Sequence, residues 1–215
     1  MGAFDIEIRA GDGALRRPEA RVGMWAALIA ALAVAAYGVV QILQIVGATT
    51  PPADSILIFA TSLAIAPPFA VALLALHYAT PLHLRFWSHA ALSFAFVYVV
   101  FALLMYVVQL GSVAPYAPAE PLLVVTPHSL FWTIDALAYL SMGVATAFAI
   151  GAIDRHDDPC TWWLFLAHAV MTPVIAVVYF APAFSTPLLL LASPWLVTAC
   201  GAMVALARRL ARSAA

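Results

Sequence analysis

The stretch Ser129-Leu-Phe-Trp-Thr-Ile-Asp135-Ala-Leu-Ala-Tyr-Leu-Ser-Met-Gly143 decides how the chain is read. It belongs to an apolar run, residues 127–153, long enough to cross a bilayer, and it carries a carboxylate well inside that run. A charged side chain at the centre of a spanning helix costs about 2.5–3.5 kcal/mol on insertion scales, which makes it a functional-site candidate by default. The other Asp, Glu and Arg residues fall in tails, in loops or at the ends of apolar runs; Asp135 does not.

Composition agrees with a membrane solvent. Hydrophobic residues make up 66% of the chain and charged residues 9%, with a mean hydropathy of +1.03. A soluble domain carries about 25% charged residues, so a soluble fold of this size is excluded. The expected fold is an all-α integral membrane protein, a bundle of six transmembrane helices joined by short loops. A net charge of −1 gives no reason to expect a nucleic-acid partner. All nine basic residues are Arg, none is Lys, and Ala is roughly a fifth of the chain, a bias expected of a GC-rich bacterial genome. Cys160 and Cys200 make neither a disulfide framework nor a metal motif and read as free thiols.

In chain order, residues 1–23 read as a polar tail and residues 24–208 as one transmembrane domain, followed by a basic tail, 207–215. The expected crossings are residues 24–47, 54–78, 86–110, 127–153, 160–179 and 187–206. Pro67-Pro68 at the centre of the second crossing should kink it or unwind a turn. Pro173 stands at the middle of the fifth, and paired interruptions of this kind would fit an inverted three-plus-three repeat.

If six helices alternate, Arg9, Arg16, Arg17, Arg21, Arg85, Arg155, Arg208, Arg209 and Arg212 all fall on one side. The positive-inside rule then places both termini in the cytoplasm, with the protein in a cell inner (plasma) membrane. Trp25, Trp87, Trp162 and Trp163 gather near the same face, as an aromatic belt does.

The helical period lines up polar residues on four crossings. Tyr37, Gln41 and Gln44 share a face of the first, and Tyr98, Tyr106 and Gln109 follow one stripe of the third. His128, Trp132, Asp135 and Tyr139 do the same on the fourth, while His168, Thr172 and Tyr179 share a face of the fifth. Asp135 lies roughly 8 residues, about 12 Å, below the outer surface, at the depth of Gln41, Gln44, Tyr106 and Gln109. Asp135, Tyr139, Gln41, Gln44, Tyr106, Gln109, His128 and Trp132 are therefore the candidate ligand-binding residues of an outward-facing polar pocket. The bland alternative is interhelical packing, worth about 0.6 kcal/mol per hydrogen bond, with a neutral Asp135 held by a glutamine amide.

Three functions follow. The first is binding or transport of a hydrophobic small molecule or lipid in that pocket, with no catalytic residue assigned. The second is a structural or accessory subunit, a homo-oligomer included, which Gly143-x3-Ala147-x3-Gly151 would support by permitting close helix contact. The third is an enzyme or electron carrier, with His89 and His168 ligating a haem b iron or Asp135 acting as acid and base on a lipid. No HExxH, Cys-rich or phosphate-loop pattern points to another cofactor or metal.

Overall fold

Backbone polar groups without access to water must pair within their own segment, so apolar runs of this length cross a bilayer as helices. The computed structural model describes residues 17–116 and 120–214, and those residues are helical with no strand. Six stretches are long and apolar enough to span a membrane. They are α1 (Arg17–Ile45), α2 (Ala53–Ala79), α3 (Arg85–Val108), α4 (Leu130–Ile150), α5 (Pro159–Phe180), and a sixth made of α6 (Thr186–Leu191) and α7 (Pro194–Ala214). Two boundaries differ from expectation. Helix α1 starts at Arg17, inside the segment read as a tail, and α7 carries the basic C-terminal residues as far as Ala214. Arg9 and Arg16 lie outside the described residues.

Each helix packs on its chain neighbours, and α1 closes the ring against α7, while α2 also touches α7 across the middle. The interfaces are built from alanine: Ala27, Ala30, Ala66, Ala95, Ala102, Ala145 and Ala202 are fully buried. Small side chains let helix axes approach closely, which matters where lipid supplies no hydrophobic drive between helices. Large apolar residues such as Leu32, Phe96, Val100 and Val170 stay exposed on the rim, where lipid would solvate them. Gly143-x3-Ala147-x3-Gly151 serves this internal packing on two fronts. A Cβ on Gly143 would overlap Thr172 Oγ1 of α5, one on Gly151 would stand 2.6 Å from the Trp87 ring of α3, and Ala147 is exposed. The motif is thus divided between two neighbours within the bundle instead of forming one free small-residue face.

Of the two outcomes expected at the central prolines, an unwound turn does not occur. Helix α2 runs unbroken through Pro67 and Pro68, and α5 through Pro173. Pro67 and Pro173 are exposed, so neither ring has to be fitted inside the bundle. The break falls in the sixth crossing, at Ala192-Ser193. There the chain makes tight three-residue bonds, Trp195 N–H to Ala192 O at 2.9 Å and Leu196 N–H to Ser193 O at 3.1 Å, and Pro194 opens α7 at a position whose N–H a helix does not need. The third crossing also deviates: Gln109–Val113 continue α3 as a π-helical turn, with the Ala114 N–H reaching Gln109 O.

One end of the bundle collects the described arginines. Asp158 caps α5, its Oδ1 accepting from the Thr161 N–H at 3.3 Å and its Oδ2 from the Thr161 hydroxyl at 2.8 Å. The same carboxylate pairs with Arg212 at 3.1 Å and Arg209 at 3.6 Å, tying the start of α5 to the end of α7. Asp154 and Asp157 are exposed, as a solvated loop predicts, but Asp158 is buried and paired. Arg155 lies over the Trp162 and Trp163 rings at 5.1 and 4.9 Å from their centroids.

Candidate functional site

At the end opposite the described arginines the helices surround a cavity of about 580 Å³. Its wall takes residues from every crossing: Gln41 and Gln44 near the end of α1, Ser55 at the start of α2, Met105 of α3, Asp135 of α4, Tyr179 of α5, and Ser193 at the break of the sixth.

Asp135 reaches this wall because Ser129 starts α4 on the correct turn. The Ser129 hydroxyl oxygen accepts from the Trp132 N–H at 3.3 Å, capping the helix; Trp132, Asp135 and Tyr139 then fall on one face at spacings of three and four. The carboxylate is held by two phenols from two other helices. Tyr106 of α3 donates to Oδ1 at 2.6 Å and Tyr179 of α5 donates to Oδ2 at 2.6 Å. Tyr106 also lies 3.5 Å from the Tyr139 hydroxyl. No described residue makes an ion pair with Asp135: its two bonds come from uncharged phenols, and it faces the cavity without a counter-cation from the described residues.

Aliphatic side chains and aromatic rings build the rest of the wall. Trp132 donates its indole N–H to Tyr179 O at 2.9 Å and packs against the Tyr179 ring at 4.8 Å. Trp195 stands perpendicular to both Tyr139, at 5.2 Å, and Tyr37, at 6.2 Å. Phe184 stands perpendicular to Trp132 at 5.3 Å.

Of the residues the period singled out, Asp135, Tyr139, Gln41, Gln44 and Trp132 line the cavity, and Tyr106 supports Asp135 from behind. Gln109 and His128 do not belong to that wall. Gln109 is buried, but the π-helical turn begins at it and its amide donates to Leu123 O at 2.8 Å. His128 precedes the cap residue of α4, in an exposed turn with φ of 68°, and so leaves the stripe. The expected glutamine partner of Asp135 is also corrected: the Gln44 amide donates instead to Asp54 at 3.1 Å, a carboxylate buried at the first turn of α2. Phenols take its place.

Sequence reasoning placed Tyr179 on a polar face without pairing it to Asp135. Its position at the arginine-free end of α5, at the depth of Asp135, was the available signal. Trp195 and Phe184 gave none, since their roles depend on the break and the turn that bring the sixth crossing onto the cavity. His89 and His168 have separate surroundings. His168 is buried, with Nδ1 3.3 Å from the Thr198 hydroxyl and its ring against Trp195, whereas His89 is exposed beside His77. No group of three or more His, Cys, Asp or Glu side chains that could hold a metal ion occurs among the described residues. No protein-family model, curated protein or solved structure matches the chain.

Proposed function

We propose that this six-helix protein binds, and carries across its membrane, a small hydrophobic molecule or lipid fragment held in the cavity beside Asp135. The observation that carries the reading is the cavity itself: about 580 Å³, mostly apolar, with one carboxylate oriented by two phenols. That combination of an apolar wall with a few placed polar groups is what ligand sites present, in volumes of about 300–1,000 Å³. Gathering the described arginines at the other end supports cytoplasmic termini and an outward-facing cavity in a plasma membrane. The interrupted sixth crossing supports movement. Discontinuous helices supply transporter sites because their freed backbone groups line a cavity instead of lipid, and Ser193 stands on this wall. The accessory-subunit reading loses its specific support, because Gly143 and Gly151 are used against Thr172 and Trp87 of the same chain.

The test is a panel of small aromatic and aliphatic amines, alcohols and acids, screened by thermal shift on purified protein in nanodiscs. At 100 times its dissociation constant a bound ligand stabilises by about 2.7 kcal/mol, a readable shift. At least one chemical class should stabilise the wild type and lose its effect on Gln41→Trp, which fills the cavity, and on Asp135→Asn. A panel with no stabilising member, or one whose hits are indifferent to both substitutions, overturns the proposal.

A further inference from the structure

Given that the cavity is the binding site proposed above, we infer that its ligand is a small organic cation, an alkylated ammonium seated between the Asp135 carboxylate and a box of aromatic rings.

Three observations converge on that chemistry. First, Asp135 accepts two short phenol bonds, one on each oxygen, which leaves lone pairs available toward the cavity it lines. Phenols orient and partly compensate a carboxylate but supply no positive charge, and no described residue does so. A lone carboxylate in a mostly apolar wall is costly to keep, and a cation in the cavity removes that cost. Second, aromatic rings from four crossings and a connecting turn share the wall: Tyr37, Trp132, Tyr139, Tyr179, Phe184 and Trp195. They pack on one another at varied angles, from 28° between Tyr139 and Tyr179 to 83° between Phe184 and Trp132. A quaternary or alkylated ammonium in the cavity therefore lies among several rings able to attract it by cation–π interaction. Third, the space fits: a cavity of about 580 Å³ takes a compact cation with room for an apolar arm along Ile58, Ile175 and Leu189.

A neutral apolar ligand would use the volume and the ring surfaces but not the charge of the carboxylate, and an anion would be repelled by it. The experiment therefore compares benzyltrimethylammonium with neopentylbenzene, its uncharged carbon isostere of nearly the same shape. Binding of each to wild-type protein in nanodiscs is measured by equilibrium dialysis, with partition into protein-free nanodiscs subtracted. The cation should bind at least 10-fold more tightly than the isostere. Asp135→Asn should cut that preference to 3-fold or less while leaving isostere binding within about 2-fold. Trp132→Leu, which keeps the carboxylate, should lower the preference several-fold, and it serves if Asp135→Asn does not fold. Equal binding of the two probes, both blocked by Gln41→Trp, overturns the cation assignment and leaves the cavity as a site for neutral ligands. Failure of both probes to bind overturns the assignment together with the reading on which it rests.

Discussion

Replacing Gly143 by alanine tests whether the site is held by helix spacing. A Cβ at Gly143 would overlap Thr172 Oγ1 and stand 2.7 Å from its Cγ2 and 2.8 Å from its Cβ. Rotation about χ1 moves Oγ1 and Cγ2 but leaves Cβ in place. Ordinary contact begins at 3.4 Å, so α4 and α5 must open locally by about 0.6 Å, the difference between 3.4 and 2.8. Overpacking of this kind costs about 1–3 kcal/mol, which for a chain of this size lowers the unfolding midpoint by about 4–8 °C at the middle of the range. The same opening acts on the site. Asp135 and Tyr179 lie two turns along the same helix pair, joined at 2.6 Å, and a parallel shift would stretch that bond to about 3.2 Å and weaken it. Gly143→Ala should therefore lose both stability and ligand affinity. Thr172 Oγ1 is buried with no hydrogen-bond partner among the described residues, so Thr172→Ala alone should be close to neutral. The double variant should recover more than half of the lost midpoint, because only the 2.8 Å contact to Cβ persists. Thermal unfolding of the four proteins in nanodiscs reads the cycle. A Gly143→Ala protein as stable as the wild type, or a double variant with no recovery, refutes the close-contact argument.

At the arginine end, burial of Asp158 would by itself raise its carboxyl's pKa, but bonds from the Thr161 hydroxyl and N–H and the charges of Arg212 and Arg209 outweigh this and hold it below its ordinary value. A lowered folded-state value means the contribution is complete above the unfolded value, about pH 4, and is lost as pH falls through the folded one. Acid titration of unfolding should show that loss in the wild type and a shallower one in Asp158→Asn, which should also be about 1–2 kcal/mol less stable at neutral pH; equal acid slopes would refute the assignment. Along the small-residue motif, Ala147→Leu should change stability by less than about 0.5 kcal/mol, since Ala147 is exposed, whereas Gly151→Ala meets the Trp87 ring at 2.6 Å and should cost about 1–3 kcal/mol. Unfolding midpoints of the two variants check both, and the reverse order would place the motif on an intermolecular face.

The composition, the six apolar runs and the sidedness of arginine were legible because each is a local property: a run long enough to span needs no partner to be recognised. The helical period likewise put Trp132, Asp135 and Tyr139 on one face and Gln41 with Gln44 on another, because that face is set by spacing within one helix. It could not predict how the faces would meet. Gln44 turned to Asp54, Gln109 started a π-helical turn and bonded Leu123, and the stripe lost His128 to the turn before Ser129. Each of these outcomes depends on helix rotation and on where a helix starts or changes pitch. Three prolines stood inside crossings without breaking them, while the break came at Ala192-Ser193, where tight turn bonds replace the helical ones. The sequence alone therefore determined a six-crossing helical bundle with one anomalous carboxylate. Only the tertiary structure decided that Asp135 is oriented by Tyr106 and Tyr179 and faces a ring-walled cavity, because those contacts join residues 29 and 44 positions apart through the closure of the helix ring.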